Sequence, residues 1–183
     1  MTDDPEATLK KAEEFALSAL RSDPNDQMMR AQLGYTLKDL AGAYLRQGRS
    51  ARAQQAMDDA EATFTEVLIA NPLDASALNG LGNLRAMRGD PDGAIDYYER
   101  ATNVEPEYTF AWYDYALSLD AKYERSGRKD FATLQKLAGV VVKVLELQTA
   151  DGQIQRLPDA ALKYIFKLKD QILGEVERVK AAH

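Results

Sequence analysis

The 183-residue chain contains no cysteine, and its one histidine is the last residue, His183. Without cysteine there is no disulfide, no thiolate metal site and no cysteine nucleophile. Without an internal histidine, a Ser-His-Asp triad and a multi-histidine metal site are also excluded. We therefore predict no catalytic residue, no metal and no cofactor, and that the chain is not an enzyme. An enzyme that uses carboxylates or tyrosines is the remaining alternative of that class.

Long apolar runs and a signal-peptide pattern are also missing. The apolar run from Ala138 to Val142 stops at Lys143, far short of the ~20 residues that cross a bilayer. The first residues include Asp3 and Asp4 rather than the basic start and apolar core of a signal peptide. We therefore expect a cytoplasmic location and no membrane partner.

The chain also has no excess of basic residues. The formal net charge is −6, and residues 1–127 hold 13 basic and 22 acidic residues, against 10 and 7 in residues 128–183. A nucleic-acid binder needs a basic face to neutralise phosphates. We therefore expect no nucleic-acid partner, and we interpret the mildly basic end as a solvated helix face.

The central segment carries the clearest helix signals. Pro72 and Pro106 stand 34 residues apart, with Gly89-Asp90-Pro91 midway between them. Glycine suits the left-handed residue after a helix, aspartate suits an N-cap, and proline suits the first turn of the next helix. The segment therefore predicts a helix, a tight turn, a second helix and a stop.

Small residues recur at fixed places within these two helices. Gly82 lies in the first helix, and Ala94 and Ala101 are seven apart in the second. Glycine inside a helix costs about 1 kcal/mol relative to alanine, so it usually marks a close backbone approach. The pattern resembles the tetratricopeptide repeat, a 34-residue helix hairpin. The residues that carry the resemblance are Leu81, Gly82, Ala94, Tyr98, Ala101 and Pro106.

The resemblance implies an all-α fold, a right-handed α-solenoid of antiparallel helix hairpins with a capping helix at each end. We predict a single repeat domain over residues 1–183. Its predicted parts are a lone helix at 5–22, repeats at 27–70, 75–105 and 109–150, and a C-terminal capping helix at 158–181.

The first repeat has wider spacings than the second. Pro24 to Gly48 and Gly48 to Pro72 each span 24 residues, whereas Pro72 to Gly89 and Gly89 to Pro106 each span 17. We therefore predict that both helices of the first repeat are seven residues longer, close to two helical turns. Ser50 is the predicted N-cap of its second helix.

The end of the chain follows the pattern less closely. Ala132 and Gly139 supply the seven-residue small pair of the third repeat, which is predicted to end near Asp151-Gly152, before a linker at 153–157. The final helix carries an apolar stripe, which either caps the last hairpin or forms a dimer contact. The stripe consists of Ile165, Leu168, Ile172, Val176 and Val179.

In the tetratricopeptide family, the first helices of the repeats line a concave groove that binds peptides. By resemblance, the predicted peptide-binding groove consists of Tyr35, Asn79, Asn83, Met87, Phe110, Tyr113 and Leu117. Asn79 and Asn83 are one turn apart, a spacing suited to binding a peptide backbone through side-chain amides. The aromatic residues are either binding hot spots or ordinary interhelical packing.

One known type of ligand of the family, the C-terminal tail of a chaperone, requires cationic side chains at defined positions. Family members that bind chaperones clamp a C-terminal carboxylate with lysine, arginine and asparagine side chains. The matching positions here are Ala31, Tyr35, Gly80, Phe110 and Asp114. They provide no cation and no amide, so a clamp for a chaperone C-terminal tail is not expected.

The resulting prediction is a non-catalytic adaptor or scaffold that binds a protein or peptide partner in the concave groove. The alternative is a structural subunit that forms a homo-oligomer through its C-terminal helix or repeat edge. Fold alone does not decide between them, and the sequence does not identify the partner.

Overall fold

A computed structural model of the chain describes residues 4–149 and 156–181, with side chains described as far as residue 178. The described residues form eight α-helices and no strand, which confirms the all-α fold class. The helices are α1 (Pro5–Ser22), α2 (Gln27–Arg46), α3 (Ser50–Ala70), α4 (Ala75–Met87), α5 (Pro91–Val104), α6 (Thr109–Arg125), α7 (Phe131–Thr149) and α8 (Asp159–Ala181).

Aspartate residues cap the starts of several helices, and the predicted N-cap Asp90 is one of them. Asp26, Asp74 and Asp90 accept backbone hydrogen bonds at the starts of α2, α4 and α5, which satisfies N–H groups that have no partner within the helix. Ser50 was predicted to be the N-cap of α3, and that prediction is wrong. Arg49 occupies the N-cap without a side-chain cap hydrogen bond, because a guanidinium has no acceptor for a backbone N–H. The Arg49 guanidinium lies over the Tyr44 ring and pairs with Glu6 instead.

The chain divides into two compact units, Met1–Gly89 and Asp90–His183. In the first unit, α1 packs on α2, α2 packs on α3, and α4 packs on both α2 and α3. Ala53 and Ala60, the predicted small pair of α3, are both 0% exposed. The core of this unit is therefore built around the α2–α3 hairpin.

The lengths of the helices confirm the predicted elongation. Helices α2 and α3 have 20 and 21 residues, whereas α4 and α5 have 13 and 14. Gly82 and Ala94, which set the register of the repeat, are both buried. The seven-residue difference thus lengthens each helix of the first repeat by two turns without changing which face is buried.

In the second unit, α5 packs on α6, α6 packs on α7, and α7 packs on α8. Its core includes Tyr98, Tyr115, Leu137 and Ile165. The predicted small pair of α7 is wrong, since Ala132 and Gly139 are both exposed. Helix α7 instead packs through a face of valine and leucine, which buries more apolar area than a small-residue face. That face contains Leu134, Leu137, Val140, Val141, Val144 and Leu147.

Three predictions near the C-terminus involve residues outside the described part of the chain. Asp151-Gly152 and residues 153–155 of the predicted linker lie outside the described residues, as do the side chain of Val179 and all of His183. Helix α8 begins at Asp159, one residue after the predicted start. Within the described part of the chain, no helix is long and apolar enough to cross a membrane.

Candidate functional site

The first candidate surface lies where α4 packs on α2 in the first unit. We call it the α2–α4 surface; it is formed by the half-buried side chains of Tyr35, Asn83 and Met87. The Tyr35 hydroxyl donates a 2.8 Å hydrogen bond to the backbone oxygen of Ser76. This bond ties the two helices together, so Tyr35 is held in place rather than mobile.

The ring of Tyr35 has a packing role as well. It meets the buried ring of Phe64 edge-on, with the ring centroids 5.1 Å apart. The ring also lies near Lys38, whose Nζ is 5.4 Å from the Tyr35 centroid and 2.9 Å from Asp39 Oδ1. Sequence reasoning did not include Lys38 in the groove, although it stands three residues after Tyr35 and so shares its helix face.

Asn79 does not belong to an accessible surface. Its side chain is 2% exposed, and its Nδ2 donates to the Tyr35 hydroxyl oxygen over 3.5 Å. We therefore correct the prediction that Asn79 binds a peptide backbone, because a ligand cannot reach a side chain buried between α2 and α4. The predicted pair of asparagines is reduced to the half-buried Asn83.

The second candidate surface lies on α6 in the second unit. We call it the α6 surface; it consists of Phe110, Tyr113 and Leu117. These residues stand three and four apart, so they lie along one face of the helix. Phe110 is 38% exposed and meets Tyr108 edge-on at 6.4 Å between ring centroids. Tyr113 and Leu117 are half-buried.

The charge around Tyr113 is negative. Burial, and then the neighbouring Asp114 carboxylate, raise the pKa of Tyr113 above its ordinary value. Both effects favour the neutral phenol. Tyr113 therefore offers an uncharged hydroxyl and a ring to a ligand, beside a carboxylate that repels acidic groups.

A polar pair at the end of this surface was missed by sequence reasoning. Tyr164 of α8 donates a hydrogen bond of 2.5 Å to Asp120 Oδ2 of α6. Burial, this hydrogen bond and the Asp120 charge all raise the pKa of Tyr164. Tyr164 precedes Ile165 in the apolar stripe of α8, and a search for aliphatic spacing alone passes over it.

The other aromatic residues of α6 pack inside the unit. Tyr115 is 2% exposed and stacks on Trp112, with 6.3 Å between the ring centroids. The Trp112 Nε1 donates to the backbone oxygen of Pro106 over 2.9 Å. Tyr115 and Trp112 were not among the predicted groove residues. Of the aromatic residues that were, Tyr35 packs on Phe64, Tyr113 is half-buried and Phe110 is 38% exposed.

The chemistry available at both surfaces is that of a contact surface. Side chains there provide rings, an amide, hydroxyls and aliphatic groups. Among the residues that the structure describes, no three histidine, cysteine, aspartate or glutamate side chains are grouped to hold a metal ion. Such surfaces suit the burial of apolar side chains with a few oriented hydrogen bonds.

Helix hairpins with buried alanine pairs and short turns define a helical-repeat protein. Residues 38–122 match the family model described as tetratricopeptide repeat. This match confirms the predicted resemblance to the tetratricopeptide repeat over residues 38–122. No curated protein sequence matches it significantly.

Two solved structures share the fold. The first TPR of Spaghetti (RPAP3), bound to the HSP90 peptide SRMEEVD, is 17% identical with a TM-score of 0.50, over 78% of this chain and 95% of that one. The Sgt2 TPR domain from Aspergillus fumigatus is 20% identical with a TM-score of 0.52, over 81% and 82%. At these identities the likeness concerns the fold alone.

Proposed function

We propose that the chain is a non-catalytic adaptor that binds a peptide segment of a protein partner through the α6 surface. The observation that carries the proposal is the exposed ring of Phe110 beside Tyr113 and Leu117 on one helix face. Partly exposed aromatic residues beside aliphatic ones are typical of the centres of protein interfaces. Tetratricopeptide repeats commonly serve as protein-interaction modules, which is consistent with this role.

The α6 surface favours a peptide with an apolar side chain and no negative charge. An apolar ligand side chain placed against Phe110 and Leu117 would remove apolar surface of both the ligand and the protein from water. This burial is the main source of the expected affinity. Asp114 would repel a carboxylate at the same place. The Spaghetti structure holds the acidic peptide SRMEEVD, and we propose a neutral or basic peptide for the present chain.

The α2–α4 surface offers fewer residues for binding than the α6 surface. Tyr35 is committed to Ser76 and Phe64, and Asn79 is buried. Asn83 and Met87 therefore remain as its contact residues, with Lys38 as the nearby cation. The cytoplasmic location expected from the sequence remains a prediction.

The test is a comparative pull-down. The wild type, a Phe110→Ala/Leu117→Ala variant and the matched control Asp96→Ala are immobilised and exposed to an extract of the source cells. Asp96 is exposed on α5, so the control changes surface charge without touching α6. We expect a partner, identified by mass spectrometry, that the wild type and control retain and the double variant loses. Recovery of the same proteins on all three would contradict the proposal, once circular dichroism shows all three folded.

A further inference from the structure

Helix α8 has two apolar faces, and its own unit covers only one of them. The covered face holds Ile165, Leu168 and Ile172, which are 0%, 2% and 7% exposed. A helix that merely caps a hairpin needs one such stripe. The sequence pattern placed Val176 with the covered residues, but Val176 is 37% exposed at the edge of that face. Together with Phe166 (49% exposed) and Leu173 (55% exposed) it forms a set that we call the outer stripe of α8.

The three residues of the outer stripe lie on one side of the helix. Phe166 and Leu173 are seven residues apart, and Val176 follows three residues later. At 3.6 residues per turn, the three side chains lie within about 80° of the helix circumference. Lys169 lies among them, with its Nζ 5.6 Å from the Phe166 centroid, and its aliphatic stem can extend the apolar surface.

Two exposed charges on α8 stand symmetrically about its middle. Lys163 and Glu177 are both exposed, and among the described side chains neither forms an ion pair. Their midpoint is Asp170, and the midpoint of Phe166 and Leu173 lies between Lys169 and Asp170. Two α8 helices placed antiparallel about that point would therefore bring Lys163 of each copy opposite Glu177 of the other. The same arrangement would bring Phe166 opposite Leu173.

The charge pattern also decides against other occupants. A helix that lies on a membrane has a polar face rich in lysine and arginine, whereas Asp159, Asp170 and Glu177 break the basic flank of α8. A partner of one charge sign would meet repulsion at one half of the helix. A second α8 in antiparallel orientation places Lys163 opposite Glu177 on both sides of the two-fold axis, so the same contact is made twice.

We propose that α8 pairs antiparallel with α8 of a second copy of this chain, through Phe166, Leu173 and Val176. At the two-fold axis, Lys169 Nζ and Asp170 Oδ1 of each copy are 3.8 Å apart, so the opposite charges there offset one another. The contact uses none of the residues of the α6 surface. Dimer formation and peptide binding can therefore fail independently.

Analytical ultracentrifugation of the full chain over a wide concentration range tests the proposal. We expect the wild type to follow a monomer–dimer equilibrium, with a Kd that Leu173→Asp raises at least about tenfold, because it buries a charge opposite Phe166. Phe15→Asp is the matched control, since Phe15 is 67% exposed on α1. A wild type that stays monomeric at every concentration would overturn the proposal, as would equal weakening by both substitutions.

A charge exchange tests the antiparallel register itself. Lys163→Glu or Glu177→Lys alone would place like charges opposite each other twice per dimer, raising the Kd about threefold or more. The two substitutions together would restore the ion pairs in reverse and return the Kd to the wild-type value. Within one helix the two residues are about 21 Å apart, so rescue arises only between copies. Absence of rescue would overturn this register.

Discussion

The ring of Phe64 fills the space where a β-carbon at residue 80 would lie. A β-carbon built on Gly80 would be 2.3 Å from Phe64 Cζ, and one built on Gly34 would be 2.7 Å from Phe64 Cε1. Phe64 of α3 is itself 0% exposed. One aromatic ring thus sets how closely α3 approaches both α2 and α4.

The first prediction is that Gly80→Ala destabilises the protein by about 1–3 kcal/mol, the usual cost of overpacking a core. The ring cannot move aside because it is buried and also contacts Tyr35. Urea denaturation followed by circular dichroism measures the change. Phe64→Leu should offset part of the loss in the double variant, because the two side chains share one space.

Gly42→Ala is the control for this prediction. A β-carbon at Gly42 would meet only the end of the flexible Arg46 side chain, at 3.4 Å. Replacing this helical glycine should therefore stabilise the protein by about 0.5–1 kcal/mol. Equal effects of the two substitutions would show that Phe64 does not restrict residue 80.

The second prediction separates the two asparagines of α4. Asn79→Ala should lower the free energy of unfolding by about 1–3 kcal/mol, because the side chain is buried and hydrogen-bonded to Tyr35. Asn83→Ala should lower the free energy of unfolding by less than Asn79→Ala does, since Asn83 is only half-buried. Denaturation curves of both variants measure the difference, and a neutral Asn79→Ala would contradict a structural role for that side chain.

These two asparagines show where sequence reasoning reached its limit. Proline, glycine and aspartate predicted the helix ends, because each has a local conformational preference that tertiary contacts did not override. The spacing of Asn79 and Asn83 placed both near one helix face. Which of the two is buried, however, depends on the contact between Tyr35 of α2 and Asn79 of α4. That contact is tertiary and cannot be read from the spacing of residues within α4.

The same limit explains the error in α7. Ala132 and Gly139 have the right spacing for a buried small pair, yet both are exposed. Small residues occur often by chance, whereas a stripe of large aliphatic residues determines which face is buried. Val140, Val141 and Val144 therefore indicated the packed face more reliably. Tyr164 was missed because its hydroxyl group is typical of a surface residue. In the folded protein that hydroxyl is hydrogen-bonded to Asp120.

The third prediction concerns alkaline pH. The pKa of Tyr164 is raised from its ordinary value of 10.0 by burial and by the Asp120 carboxylate. Above pH 10.0 the unfolded chain releases this proton while the folded protein keeps it, so stability falls as pH rises toward the folded pKa. Below pH 10.0 the contribution is fully present.

Urea midpoints measured from neutral pH to above pH 10 test this in the wild type and in Tyr164→Phe. Tyr113, Tyr115 and Tyr123 also have raised pKa values, so the wild-type slope is shared among several groups. Removing the Tyr164 hydroxyl should make the alkaline slope shallower. Parallel slopes in the two proteins would contradict the assignment of the Tyr164–Asp120 pair.

The last prediction compares the two candidate surfaces with the partner that the pull-down yields. Phe110→Ala and Leu117→Ala should each weaken binding, and the variant that removes a true anchor should do so by about 2 kcal/mol or more. Asn83→Ala/Met87→Ala should have a smaller effect, because that surface lacks an exposed ring.

Isothermal titration calorimetry measures the affinities, and Asp96→Ala should bind like the wild type. Because Phe110 also packs on Tyr108 and Leu117 is half-buried, both variants need a denaturation curve beside the titration. A larger loss from Asn83→Ala/Met87→Ala than from Leu117→Ala would transfer the binding role to the α2–α4 surface.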